Sequence, residues 1–148
     1  VFVAPADGDR VFALDAETGK LIWKAPEEGG FTEGAQILGV SRDKLIVTVT
    51  GPLRSVRGLN LDTGSYREGG WIQGDGGGVL GYGHGLATDD VIIWPSREGL
   101  YRLDPRDGRP SSGTPNPFPG PFGQKFFGHV AYADKTLVIV TPTELWFY

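Results

Sequence analysis

Apolar positions along the chain come in short, unbroken runs. Leu45-Ile46-Val47-Thr48-Val49, Val91-Ile92-Ile93-Trp94 and Leu137-Val138-Ile139-Val140 are β-branched or aromatic and are bounded by Gly, Pro, Asp or Ser, which is the signature of strands. Helical spacing is nearly absent. Runs without polar alternation predict strands covered on both faces. Turn residues fall between them, at Ser41-Arg42-Asp43-Lys44, Thr88-Asp89-Asp90 and Ala133-Asp134-Lys135. Asp7-Gly8 predicts a hairpin turn, because glycine accepts the positive φ of tight hairpins.

The pattern repeats. Ala13-Leu14-Asp15-Ala16-Glu17-Thr18-Gly19 returns as Gly58-Leu59-Asn60-Leu61-Asp62-Thr63-Gly64, and more loosely as Arg102-Leu103-Asp104-Pro105-Arg106-Asp107-Gly108. The closing glycines stand 45 and then 44 residues apart, and Leu45, Val91 and Leu137 are each 46 apart. A period of this length in an all-strand chain points to a propeller or a β-solenoid. About four strands fit in one period, which is one propeller blade. The expected fold is therefore all-β, with about three to three and a half four-stranded antiparallel blades forming an open arc of a larger ring. The blades are expected at about 1–30, 31–74, 75–120 and, in part, 121–148. On this parse Val1 opens inside a second strand, and Tyr148 stands where the next Leu-Asp pair begins.

Composition narrows the choice. Gly 24 and Pro 11 make roughly a quarter of the 148 residues, yet 39% are hydrophobic and 11% aromatic, so the chain is turn-rich with ample material for a core. Its net charge of −4 is too mild and mixed to advertise a nucleic-acid surface. No run approaches the ~18 apolar residues of a membrane helix. With no Cys, disulfide frameworks, thiolate zinc sites and Cys nucleophiles are excluded within this stretch. The absence of Met and the incomplete count of blades fit a piece of a longer protein.

Ala13-Leu14-Asp15-Ala16-Glu17-Thr18-Gly19-Lys20-Leu21-Ile22-Trp23 resembles the tryptophan-docking repeat of the PQQ-like, quinoprotein-type propeller family, Ala-x-Asp-x-x-Thr-Gly-x-x-x-Trp. The first unit matches every fixed position. The second keeps Thr63 and Gly64, has Gly58 and Asn60 for Ala and Asp, and places Trp71 seven residues after its glycine where the pattern has four. The third keeps Asp104 and Gly108 and runs into a proline-rich stretch where the Trp is due. The resemblance implies that Trp23 packs between neighbouring blades. Asp15 and Asn60 suit acceptors for turn N–H groups, Gly19 and Gly64 suit special turn dihedrals, and Ala13 leaves room. These are fold residues. WD repeats fit less well: Gly83-His84 and Gly128-His129 recur, but no Trp is followed by Asp.

Candidate chemistry is sparse. Gly76-Gly77-Gly78-Val79-Leu80-Gly81 has dinucleotide-like spacing, but that motif works only before a helix, so a loop is expected. His84 and His129, the two histidines, are expected on adjacent blades at similar depth, each bonded to a neighbouring strand rather than to a metal. Asp15, Asp62, Asp89, Asp90 and Asp104 fall in turns, and no Ser lies in a nucleophile elbow. Pro110, Pro115, Pro117, Pro119 and Pro121 read as an irregular connection. No catalytic, cofactor-binding or metal-ligating residue is assigned. Gln36, His84, Gln124 and Lys125 are the polar residues expected along a central channel.

The resemblance implies two functions. One is a non-catalytic binding or assembly scaffold in a bacterial protein, periplasmic or extracellular, needing no cofactor in this piece. Its partners would be the remaining blades of its ring and a protein or small ligand. The alternative is part of a quinoprotein alcohol or sugar dehydrogenase, which adds PQQ, calcium and an Asp base.

Overall fold

The computed structural model describes residues 1–8, 10–25, 34–49, 55–74, 83–95, 99–111, 128–141 and 143–148. The glycine run 76–81, the prolines beyond Ser111, and Gln124 and Lys125 lie outside them. Among the described residues there is no helix, and all pairing is antiparallel. Sheet 1 has β1 (Phe2–Val3), β2 (Phe12–Leu14) and β3 (Leu21–Lys24). Sheet 2 has β4 (Ala35–Ser41), β5 (Lys44–Val49), β6 (Ser55–Asn60) and β7 (Trp71–Gly74). Sheet 3 has β8 (Leu86–Ala87), β9 (Ile92–Pro95) and β10 (Leu100–Leu103), and sheet 4 has β11 (His129–Ala133), β12 (Thr136–Val140) and β13 (Leu145–Phe147). Strands are neighbours in chain order within every sheet, so each sheet is a meander.

The core lies between sheets. Leu45, Val47, Val49 and Leu59 of sheet 2 pack with Val11, Ala13, Trp23 and Ala25 of sheet 1. The opposite face of sheet 2, with Ile46, Val56 and Trp71, packs with Ile92, Trp94 and Leu103 of sheet 3. Ile93 and Leu100, on the other face of sheet 3, meet Val130 and Ile139 of sheet 4. Alternate residues of β5 and β9 thus face opposite neighbours, as the pleat requires. All six residues of β5 and all four of β9 are buried. This is why those runs carry no polar alternation.

Register corrects the 46-residue beat of the apolar runs. The residue opposite the motif leucine is Leu45 for Leu59 but Ile92, not Val91, for Leu103. In sheet 4, Leu137 and Tyr148 exchange N–H···O bonds at 2.8 and 2.9 Å. A slip of one residue would turn the run to the wrong face, and Ile92 is the residue that faces sheet 2. Tyr148 thus occupies the motif-leucine position, as expected.

The first hairpin is also wider than its Asp-Gly pair suggests. β1 and β2 pair, but residues 4–11 join them, and the tight turn is Pro5–Gly8, closed by Gly8 N–H donating to Pro5 O at 3.1 Å. Gly8 does not adopt a left-handed φ; a Cβ there would press on Pro5 at 3.0 Å. The two-residue turn with both φ values positive is Asp134-Lys135, at 48° and 64°.

The three motif turns share one backbone. Gly19, Gly64 and Gly108 have φ of 68°, 70° and 70°, and their N–H groups donate to Asp15, Asn60 and Asp104 carbonyls at 2.8–2.9 Å. Asp15 Oδ1 accepts from the Thr18 N–H at 2.7 Å and the Thr18 hydroxyl at 2.6 Å. Asn60 Oδ1 accepts from Asp62 and Thr63 N–H, and Asp104 Oδ1 from Arg106 N–H.

The turns at Gly64 and Gly108 each receive the tryptophan of the preceding sheet. Trp23 Nε1–H donates to Leu61 O at 2.7 Å, and its ring lies 2.5 Å from where a Cβ on Gly64 would sit. Trp71 Nε1–H donates to Pro105 O at 2.8 Å, and its ring occupies the space of a Cβ on Gly108. Trp71 therefore docks despite its late position. Ser65 Oγ accepts from Arg67 and Glu68 N–H, looping out the extra residues. The pairing Gly58↔Trp71 then matches Ala13↔Trp23. A Cβ on Gly58 would lie 2.5 Å from Trp71 Nε1, so this indole takes the volume that Ala13 occupies in the first unit.

Gly19 has the same φ but nothing within 4 Å. Gly19→Ala, Gly64→Ala and Gly108→Ala thus share a left-handed cost of about 1–2 kcal/mol. Gly64→Ala and Gly108→Ala are expected to lose a further ~1–3 kcal/mol from displacing an indole, read from urea unfolding midpoints. Trp23→Ala is expected to cost about 3–5 kcal/mol.

The Arg106 side chain, with its N–H, holds the Asp104 carboxyl at about 2, below its ordinary 3.8. The Thr18 hydroxyl and N–H lower Asp15 in the same direction. A depressed folded value stabilises above the ordinary one, and the contribution is lost as pH falls from 3.8 toward 2. Carboxyl NMR titration is expected to show Asp104 near 2 and, in Arg106→Ala, a rise toward 3.8.

Candidate functional site

The first strands of sheets 2, 3 and 4 lie side by side. A Cβ on Gly39 of β4 would sit 3.4 Å from Ala87 O of β8, and Val130 N–H of β11 donates to His84 O at 2.8 Å. Polar side chains fall on one level of these strands. Gln36 is opposite Thr48 and His129 opposite Val140. His84, two residues before Leu86, is level with Pro95, because Leu86 pairs with Ile93. Thr48, Pro95 and Val140 each stand three residues beyond the residue opposite the motif leucine position. Gln36, His84 and His129 are thus equivalent positions in three successive sheets, and all three are exposed.

Backbone proximity sets this row. A Cβ on Gly83 would collide with Gly128 O, and one on Gly128 with Val140 O. Gly83 thus lies against the Gly128 backbone across sheets 3 and 4, and Gly128 against Val140 within sheet 4. His84 N–H donates to His129 Nδ1 at 3.1 Å. The expectation that the histidines bond a neighbouring strand holds for His129. Gln36 and His84 fall on one level of adjacent sheets, and His129, not among the residues expected along a channel, shares that level. Its signal was present in the Gly-His recurrence. Among the described residues, no three His, Asp or Glu side chains converge as a cation's ligand set does.

A polar contact fixes sheets 2 and 3 at the opposite end of these strands. Ser41 Oγ–H donates to Thr88 O at 2.7 Å, Arg42 N–H to Asp89 Oδ1 at 3.0 Å, and Arg42 Nε–H to Asp89 O at 2.9 Å. Arg42 adopts φ 54° to do so. Asp89 and Asp90, read from the sequence as turn residues, therefore also serve the sheet interface. Asp15, Asp62 and Asp104 remain in motif turns. Arg57 is a buried cation that the sequence pattern did not reveal. Its Nε–H donates to Ser55 Oγ at 3.1 Å, its guanidinium lies 5.4 Å from the Tyr66 ring centroid, and burial lowers its pKa.

A cleft of about 550 Å³ separates sheets 3 and 4. Ile93, Leu100 and Leu137 line its apolar part, with Asp90, Arg102 and Tyr148 among its polar groups. Arg102 stands at the motif position held by Ala13 and Gly58, where the other interfaces receive an indole.

No family model matches the sequence. Among curated proteins, the chain is similar to the lanthanide-dependent methanol dehydrogenase of Methylacidiphilum fumariolicum, with 31% identity over 141 residues. The similarity takes in 79% of this chain and 23% of that enzyme, so the chain spans less than a quarter of its relative's length.

Arg42→Ala removes the side-chain half of the turn contact and leaves the polar row untouched. It is expected to destabilise by about 0.5–1.5 kcal/mol, checked by thermal unfolding against the parent chain.

Proposed function

We propose that this chain is an arc of a quinoprotein-type β-propeller and works as a non-catalytic scaffold, with the row Gln36, His84 and His129 facing the central channel of the ring. The observation that carries the propeller reading is the repeated dock of one sheet's tryptophan on the next sheet's glycine turn, at Trp23–Gly64 and Trp71–Gly108. The similarity to a methanol dehydrogenase over most of the chain supports the same family.

The outer face of sheet 4 supports further sheets in the ring. Val138 pairs with Phe147 and Val140 with Leu145, so all four share the face turned away from Ile139 and sheet 3. Val140, Leu145 and Phe147 are exposed, although Ile46 and Ile93, on the corresponding faces of sheets 2 and 3, are buried. An apolar patch of this kind marks an interface, and a further blade of the same ring fits its shape and chemistry.

The row offers hydrogen-bonding side chains and no ligand set for a metal among the described residues, which suits a binding role. A second reading, a PQQ- and metal-dependent dehydrogenase, is favoured by the activity in the relative's name. On that reading the metal's ligands are supplied by parts of the ring other than the described residues.

The two readings separate in one experiment. A longer protein containing this stretch, purified and incubated with PQQ, calcium or a lanthanide, and an electron-accepting dye, is expected neither to retain PQQ absorbance on a desalting column nor to reduce the dye with methanol, ethanol or glucose. Retained cofactor with dye reduction would replace the scaffold reading with the enzymatic one.

A further inference from the structure

We propose that the contact between His84 and His129 is a proton-sensitive latch between sheets 3 and 4. His129 Nδ1 accepts the His84 N–H at 3.1 Å, and the adjoining Val130 N–H donates to His84 O at 2.8 Å. The His84 backbone is thus gripped on both sides by two consecutive residues of β11. A Cβ on Gly83 would collide with Gly128 O, so the two backbones lie against each other and the donor is presented to the ring at a fixed place.

An imidazole nitrogen accepts a hydrogen bond only while it lacks a proton, and the imidazolium carries N–H on both nitrogens. Protonation of His129 therefore turns an acceptor into a second donor facing the His84 N–H. The bond is thus made by the neutral ring and lost when the ring takes up a proton. Among the described residues, the strands packed against β11 bring no charged side chain to His129: β8 is Leu86–Ala87, β9 is Ile92–Pro95 and the cross-strand partner on β12 is Val140, while His84 is the titratable residue bonded to it. The interface also has little else to hold it. Sheets 3 and 4 share the smallest of the three apolar clusters among the described residues, and the 550 Å³ cleft lies between them.

The two histidines are the chain's whole complement, which makes the test direct. Amide hydrogen exchange of the full chain is followed at pH 7.5 and 5.5, each rate corrected for intrinsic exchange. The same is done for His129→Gln, whose side-chain carbonyl accepts a bond at either pH, and for His84→Gln, which keeps the latch. In the parent chain and in His84→Gln, the His84 and Val130 amides are expected to lose protection roughly three- to tenfold at pH 5.5. In His129→Gln they are expected to keep it. An equal response in His129→Gln, or no response in the parent, overturns the latch. Imidazole nitrogen NMR of the unaltered chain keeps the question decidable if either variant fails to fold. At pH 7.5 His129 is expected to carry its proton on Nε2, and a proton on Nδ1 overturns the proposal.

Discussion

An indole N–H given to a carbonyl of the next sheet is the contact on which this architecture depends. A three- or four-stranded sheet with apolar residues on both faces has no stable existence alone; it needs a neighbour on each side. Trp23 and Trp71 supply that neighbour and fix its position. Each ring lies flat against a glycine that has no Cβ to oppose it, and each N–H reaches a carbonyl of the same turn. The polar atom of the indole is satisfied while its large apolar surface leaves water, so the geometry is specific as well as favourable. The burial of β5 on both faces follows from this stacking.

The turns that receive the indoles show how backbone geometry outlasts side-chain identity. Asp15, Asn60 and Asp104 differ in charge, yet each accepts N–H groups from its own turn. Asp107 replaces the threonine of the first two units and accepts the Arg109 N–H at 3.0 Å, as Thr18 and Thr63 accept the N–H two residues on. What stays constant is glycine in the left-handed region; at Gly64 and Gly108 no other residue meets both the φ and the ring.

The candidate site is a product of that framework. Gln36, His84 and His129 share a level because three first strands are held side by side by their sheets. The site is open and polar, with no buried charge pair to mark it as a reaction centre. Arg57, a buried cation, lies instead between sheets 1 and 2, behind Ser55 and Tyr66.

The sequence alone determined the strand content, the repeat and the turn glycines, because these depend on local spacing and on residue types with few conformational substitutes; the docking of Trp23 was implied by the resemblance of its repeat. Only the tertiary structure decided which side of each strand met which neighbour. Val91 and Ile92 are equally apolar, and nothing local says which stands opposite the motif leucine; parity across the interface places Ile92 there. Trp71 was out of step by three residues until its loop folded away and restored the pairing with Gly58. The likeness of Gln36 to His84 and His129 was likewise invisible, since their separations of 48 and 45 residues differ and only strand register sets them level. Local chemistry chooses turns and strands, but register is a sum over cross-strand and cross-sheet contacts, and no window of sequence contains both sides of those contacts.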